Sequence, residues 1–583
     1  MDCSKLTTLR DLFIESTERY ADNISFSYID GDSYTYRQFR NKVDQVSEIF
    51  THYGIGQGDK VALLSQNMPN WSVAYFSAIA FGRIIVPLLP DFSPDEIERI
   101  IEHSESKAMF MSKKLAYKVS EEVLRSLELV VDIETFSVIH SKVSPSNDYS
   151  IKSDTNTTQE ADYREQSNFP KPEDLASIIY TSGTTGSSKG VMLTHHNLTA
   201  HLYSSTLLRP GYEWDVWLSL LPLSHTLESS LCMLLPMASG ASVYYIERAP
   251  TPTILLQALK KVRPTTVLSV PLIIEKIYKG TIRPKFTSGG LVKVIYGTTL
   301  GRKLLHRLAG VQLKKTFGGR VRFFGIGGAK LDPIVERFLY EARYPYAIGY
   351  GLTECSPLLA GATPDIVKWQ STGPAAPGVT LKILNPNPAT GEGEIVAKGE
   401  NIMTGYYKNP EATAEVFTED GWFRTKDLGI LDKNGRLFIK GRLNNMIVGP
   451  SGENIYPEEI ESVINEHIMV AESIVSVDLK GKLIARVYFN QEKLSEFREQ
   501  LIKSYEEKKS TVMASYNETK ENMEATMEEV KKALNEKIEQ LQTEVSEYVN
   551  ARVNKFSQIS LVIAHPEQFE KTATLKIKRY LYI

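Results

Sequence analysis

The sequence predicts an α/β protein: a large N-terminal region of parallel sheet with helices, then a β-rich stretch, then a small α+β region carrying a long helical insertion. Three observations predict it. First, 583 residues exceed what one compact core accommodates, so at least two domains are expected. Second, "KVALLS" (60–65) and "RIIVPLL" (83–89) are short aliphatic runs, and the helix-spaced "NWSVAYFSAIAFG" (70–82) lies between them, a β-α-β rhythm that implies parallel sheet. Third, from about 380 to 440 the rhythm becomes short strands with Gly and Asn turns, as in "GRLFIKG" (435–441). After "KGRLNN" (440–445) the character changes again, which places a domain boundary near Arg442 and divides the chain into 1–441 and 442–583.

Within the first region, residues 143–172 are polar and nearly free of aliphatic side chains and are expected to form a mobile loop. "LASIIY" (175–180) then reads as a buried strand, and the alternation resumes through "TTVLSV" (265–270), "LVKVIYG" (291–297) and "VRFFGIGG" (321–328). In the second region, residues 491–552 are rich in Glu and Lys and contain no proline. Apolar residues there recur at Met523, Met527, Val530, Leu534, Ile538, Leu541, Val545 and Tyr548, mainly three and four apart, a coiled-coil-like seam. Such a helix either packs on its own domain or meets a partner or membrane surface.

Composition sets outer bounds. Hydrophobic residues make up 42% and charged residues 23%, ordinary values for a globular chain, and a net charge of −3 argues neither for nor against nucleic acid. No nucleic-acid partner is expected. Cys3, Cys232 and Cys355 form neither a disulfide framework nor a zinc spacing. The start lacks a signal-peptide pattern, and the most apolar stretch, 216–238, is interrupted by Pro222, His225, Glu228 and Pro236. A cytoplasmic location is expected, with any membrane contact peripheral.

Five clusters carry chemistry. "YTSGTTGSSKG" (180–190) follows the strand "LASIIY" directly. Its glycines free backbone N–H groups to form an anion nest, its Ser and Thr hydroxyls add donors, and Lys189 adds charge. In "GYGLTECSP" (349–357), Glu354 offers Mg²⁺ a carboxylate oxygen, and Tyr350 could stack a base. In "DGWFRTKDLG" (420–429), Asp427 is a candidate acceptor for two ribose hydroxyls, with a turn or cap aspartate as the alternative. In "KGRLNNMIVGPSGENIYPEEIE" (440–461), Arg442 presents a fork of donors suited to phosphate. The fifth is "KTATLKIKRY" (571–580), with Lys576.

In this order the five clusters resemble the adenylate-forming superfamily of acyl-CoA synthetases, luciferases and peptide-synthetase adenylation domains. The resemblance runs from "SYTYRQFRNKV" (33–43) to Lys576, leaving out 143–172 and 491–552, and the chain looks most like a long-chain fatty-acid–CoA ligase. It implies ATP and Mg²⁺, an acyl-adenylate formed by attack on the α-phosphate, and a thiol that displaces AMP. It also implies roles. Thr181, Ser182, Gly183, Thr184, Thr185, Gly186 and Lys189 would hold the β- and γ-phosphates, and Thr181 and Glu354 would bracket Mg²⁺. Gly328 and Tyr350 would flank adenine, Thr353 would approach the α-phosphate, Asp427 would bind ribose, and Arg442 would reach ribose or phosphate. Lys576 would contact the substrate carboxylate and α-phosphate, and His225 would lie beside the acyl group. Asn445 would be the hinge of a mobile C-terminal domain, and Gly452 would border the pantetheine path. The chain departs from the resembling motifs at Ser188, at Asn444 and Asn445, and at Leu575, where the superfamily has proline, K-[DE] and glycine.

Residues 216–240 cover the expected acyl pocket and contain no Asp to pair with an amine. An unpaired buried ammonium is costly, so an amine-free acid is expected. The expectation is therefore a ligase acting on a medium- or long-chain fatty acid, ATP and CoA. An acyl–acyl-carrier-protein synthetase and a catalytically weak acyl-binding scaffold are the alternatives.

Overall fold

The computed structural model describes residues 1–143, 170–181, 188–246, 251–287, 289–449, 454–478, 481–512, 520–571 and 577–583, without the side chains of 252 and 505–528. The expected loop at 143–172 therefore lies almost wholly outside the described residues. Two compact units emerge: Met1–Thr425 with Gly429–Ile439, and Lys426–Leu428 with Lys440–Ile583. No helix among the described residues is long and apolar enough to cross a membrane.

The larger unit holds two eight-stranded sheets. One is built on Lys60–Leu64, Ile84–Leu88, Ala108–Met111 and Leu129–Asp132, paired in parallel as the β-α-β rhythm predicts. Its outer part is a hairpin: Leu175–Thr181 runs antiparallel to Lys189–Thr194, to which the two-residue strand Gly405–Tyr406 adds, also antiparallel. The second sheet has Ser242–Tyr245, Val216–Ser219, Thr266–Ser269, Phe323–Ile326 and Tyr346–Gly351 in parallel, closed by antiparallel Leu358–Gly361. Helix Pro69–Ile79 has buried residues on every side, the pattern of a helix enclosed by other elements. Its Phe76 stacks on Phe13 and meets Phe39 edge-on in the main hydrophobic core. A four-stranded sheet follows, made of Val379–Leu384, Gly393–Gly399, Phe423–Leu431 and Leu437–Arg442.

One expected strand is a helix. "LVKVIYG" lies in helix Gly290–Tyr296, and Gly289 (φ 121°) and Gly290 (φ 68°) turn the chain into it. Short apolar runs fit a strand or a helix equally well, so periodicity does not decide here. The residues also remain outside the core, with Leu291 74% and Val294 69% exposed.

Much of the apolar part of 216–240, by contrast, is core. Cys232, Met233, Leu234, Leu235 and Met237 are buried in the main cluster. A fixed turn precedes them. Asn67 Nδ2 donates to Ser219 Oγ (3.0 Å) and to the Leu221 carbonyl (2.6 Å), and its Oδ1 accepts from Leu223 N (2.8 Å). Glu228 closes the same turn, accepting from Ser219 Oγ (2.6 Å) and Leu220 N (3.1 Å). Its Oε2 is buried with no nitrogen or oxygen partner among the described residues. Burial pushes this carboxyl up to about 7, since a charge there would lose its hydration.

The smaller unit has a three-stranded sheet in which Leu483–Phe489 is antiparallel to Val470–Val477 and parallel to Leu561–Ala564. Parallel neighbours require a crossover, and the helical insertion is that crossover. It forms helices Gln491–Val512 and Lys520–Asn550. Leu541, Val545 and Val549 are buried in the unit's own core beside Ile464, Val487 and Val562, and Leu534, Ile538 and Tyr548 pack against it. Of the two expectations for the seam, packing on its own domain holds from Leu534 onward.

Two outcomes follow. Leu541→Ala should destabilise the smaller unit by about 2–4 kcal/mol through the cavity it leaves. Hydrogen exchange of the Leu483–Phe489 amides should then quicken at least tenfold, while the exposed Glu539→Ala should leave it unchanged. For Glu228, the folded state keeps its proton from pH 4.5 to about 7 while the unfolded state has lost it. Stability therefore falls as pH rises across this window, by about 3 kcal/mol in total. Glu228→Gln should remove that slope in urea unfolding measured at pH 5 and pH 8; an unchanged slope would show that Glu228 does not cause it.

Candidate active site

The larger unit gathers part of the expected site around a hairpin. Thr181 ends one strand and pairs in register with Lys189, which begins the next. The Gly-rich segment thus leaves and re-enters at adjacent positions, joining two antiparallel strands instead of leading into a helix. Ser182, Gly183, Thr184, Thr185 and Gly186 lie outside the described residues. The helix His195–Leu208 begins only after the second strand, capped by Thr194.

Tyr406 connects the hairpin to Glu354. It lies opposite Val191 on the added two-residue strand. The Lys189 ammonium sits 5.0 Å from its ring centroid, a cation–π distance. The phenol donates to Glu354 Oε1 at 2.9 Å. Burial first, and the Glu354 charge second, push the phenol well above its ordinary pKa, so it remains a donor at any working pH. Backbone and amide contacts from the same segment fix the turn: Met403 N donates to the Glu354 carbonyl (2.8 Å), and Asn401 Nδ2 to those of Cys355 (2.7 Å) and Leu358 (3.0 Å). Tyr406 and Asn401 are the residues that reading the sequence misses. The signal, "NIMTGYYKNP" (401–410), looks like an ordinary turn, and Tyr406 is 52 residues from its carboxylate partner.

Tyr350, Thr353 and Glu354 come from the end of strand Tyr346–Gly351 and the 3₁₀ turn Thr353–Cys355. Gly351 permits the reversal between them, because a Cβ there would run into the Pro357 carbonyl. The neighbouring parallel strand Phe323–Ile326 pairs Ile326 with Ile348. Gly328, at φ 85°, follows two residues beyond the end of that strand. These are carboxyl ends of parallel strands, where open α/β sheets bind ligands. His225 is half-buried at the start of helix Thr226–Ser229, and its carbonyl accepts from the Glu228 and Ser229 amides at 3.0 Å each.

The smaller unit contains a second group. Asp427 is buried and its Oδ1 is 3.1 Å from Arg442 Nε, so these two residues are already paired. Arg442 ends its strand and opens the 3₁₀ turn Leu443–Asn445. Asn445 stays in this right-handed turn, and its Nδ2 donates to Glu458 Oε1 (2.5 Å). Gly452 and Lys576 lie outside the described residues. The chain on either side of 572–576 is tied at its base: Lys571 and Ile577 form an antiparallel bridge, Lys571 pairs with Glu472, and Arg579 pairs with Glu461.

The described residues contain no cluster of three or more His, Cys, Asp or Glu able to hold a metal. Glu354 and the Thr181 hydroxyl are the oxygen donors that could serve Mg²⁺, an ion that accepts a sparse protein set when substrate phosphates and water complete its shell.

Comparison with known proteins bears on the whole arrangement. The family described as AMP-binding enzyme matches residues 13–407. The peroxisomal long chain acyl-CoA synthetase 6 of Arabidopsis thaliana is 32% identical over 468 residues, covering 75% of this chain; the chain spans 65% of that relative's length. The long-chain-fatty-acid–CoA ligase of Salmonella typhimurium is 30% identical over 499 residues, covering 80% of this chain and 82% of the relative. Among solved structures, the anthranilate CoA ligase AuaEII with anthranoyl-AMP aligns at TM-score 0.72 and 18% identity, over 100% of this chain and 98% of that one. The o-succinylbenzoate CoA synthetase of Bacillus subtilis in complex with ATP and magnesium ion aligns at TM-score 0.70 and 20% identity, over 98% of each chain. The structural likenesses establish the fold, and with the family match over 13–407 they show that the chain belongs to the AMP-binding enzyme family.

Proposed function

We propose that this chain joins a long-chain fatty acid to CoA with ATP, through an acyl-adenylate. The fatty carboxylate attacks the α-phosphorus, the bond to the β-phosphate oxygen breaks, and pyrophosphate leaves. The CoA thiolate then attacks the acyl carbonyl, and AMP leaves. The observation that carries this reading is the Tyr406 junction, which holds a cation, Lys189, and a carboxylate, Glu354, at the end of the strand pair that brackets the Gly-rich segment. The two named relatives support the acid and the acceptor.

Lys189 and the loop residues Thr181, Ser182, Gly183, Thr184, Thr185 and Gly186 neutralise the leaving pyrophosphate. Positioning and fixed charge supply most of the catalysis in such a transfer. Mg²⁺, when bound, draws charge from the phosphate oxygens. Glu354 would hold it, its carboxylate kept in place by the Tyr406 phenol. Gly328 and Tyr350 receive adenine, Thr353 faces the α-phosphate, and Asp427 with Arg442 receives the ribose. Lys576 meets the carboxylate during adenylation, His225 lies beside the acyl group, Asn445 is the hinge, and Gly452 borders the thiol's path. An amine-bearing acid is disfavoured, because 216–240 contains no Asp and burial keeps its one acidic residue, Glu228, protonated up to about pH 7, without the charge that would pair an ammonium.

A panel of acids assayed by pyrophosphate exchange and AMP release tests the reading. Turnover should rise with unbranched chain length, as each buried CH₂ contributes about 0.8 kcal/mol, until the site is full. Equal turnover of acetate and palmitate would refute it, and preference for a carrier protein over CoA would move the acceptor. Tyr406→Phe keeps the ring beneath Lys189 and removes the hold on Glu354. It should raise the Mg²⁺ concentration for half-maximal adenylation by about tenfold or more. Lys576→Ala should slow acyl-adenylate formation by orders of magnitude and leave conversion of supplied acyl-adenylate to acyl-CoA nearly normal. A bulky residue at Gly452 should show the reverse split. Equal slowing of both half-reactions by Lys576→Ala would remove that lysine from its assigned step.

A further inference from the structure

Between Lys276 and Lys330 the chain holds thirteen Lys and Arg and no Asp or Glu, within a protein of net charge −3. The same stretch contains the most exposed leucines of the larger unit. On helix Thr299–Thr316, Leu300 is 82%, Leu304 57%, Leu308 61% and Val311 58% exposed. They recur at four, four and three residues and so share one helix face. Lys303, Arg307 and Lys315 are exposed at interleaved positions on that face, and none of the three has an ion pair with a described residue. Exposed Leu291 and Val294 of helix Gly290–Tyr296 precede them, with Lys293.

An amphipathic helix ordinarily turns its leucines inward. This one is fixed by its other face. Arg302 bonds Glu341 through two nitrogens (3.1 and 2.8 Å), and buried His306 lies 2.8 Å from the same carboxylate. At Gly310 the backbone passes so close that an added Cβ would fall 2.7 Å from that of Ala342. Leu313 is buried. The outward leucines therefore belong to a helix anchored along its length, and no described residue covers them.

We propose that the outer face of helices Gly290–Tyr296 and Thr299–Thr316 docks on an anionic lipid bilayer. Leucine and valine enter the interface, while lysine and arginine meet the headgroup phosphates. Apolar area and basic charge are the two contributions that hold an interfacial helix, and both lie on this face. A nucleic acid would use the charge but leave the leucines in water. A second copy would bring like charge against like charge.

The test uses the purified full chain and sedimentation with vesicles, in the absence of ATP and fatty acid, so its outcome is independent of the ligase reading. Binding should be at least tenfold stronger to phosphatidylcholine vesicles with about a third phosphatidylglycerol than to phosphatidylcholine alone, and should weaken with added salt. The combined changes Leu300→Asn, Leu304→Asn and Leu308→Asn should reduce it at least tenfold, as should Lys303→Glu, Arg307→Glu and Lys315→Glu. Unchanged circular dichroism and pyrophosphate exchange would show that both variants are folded. Failure of the full chain to bind anionic vesicles, or equal binding by the leucine variant, would overturn the proposal. So would single-stranded RNA bound as tightly at the same ionic strength, or a dimer in light scattering that the leucine changes dissociate.

Discussion

The hydroxyl of Tyr406 on Glu354 is the contact on which the gathered part of the site depends. Glu354 sits on a short turn with no regular ladder of its own, and the hairpin bearing Lys189 is a separate element of the other sheet. The segment from Asn401 to Tyr406 joins them twice over. Its backbone extends the hairpin's sheet, and its amide and phenol groups satisfy the turn. A buried phenol bonded to a carboxylate is held in place by the cost of leaving either partner unpaired. The ring, placed under Lys189, then sets the distance between cation and carboxylate.

What could be read in the sequence depended on how locally each feature is encoded. Lys189, Glu354, Asp427 and Arg442 were legible as candidates because each lies in a contiguous cluster whose residue types suggest the chemistry. The pairing of Asp427 with Arg442 was not, since it depends on two strands meeting. Tyr406 was invisible for the same reason. Residues 216–240 show another limit: Met233, Leu234 and Met237 are buried in the main core, and composition alone does not separate a core side chain from a pocket lining. Leu291 to Tyr296 were read as a strand because six residues of mixed apolar character carry too little periodicity to reveal a helix.

The seam in the helical insertion shows the opposite case. Its spacing was legible, and the buried positions Leu541 and Val545 follow it. The identity of the surface that receives it was not, because a stripe specifies an apolar neighbour without naming one. Strand Leu483–Phe489 supplies that neighbour by pairing with Leu561–Ala564 on the far side of the insertion.

This arrangement has a consequence during synthesis. The Ser560 hydroxyl bonds the Leu483 carbonyl from 77 residues further along the chain, and all parallel pairing of that strand comes from beyond the helices. At about 5–20 residues per second, the nascent strand would wait about 4–15 seconds with one edge unpaired. An open, apolar strand edge invites pairing with another chain. The charged helices emerge from the ribosome during that interval, ahead of the strand that closes the sheet. The length of the crossover thus sets a period of exposure that a shorter connection would not impose.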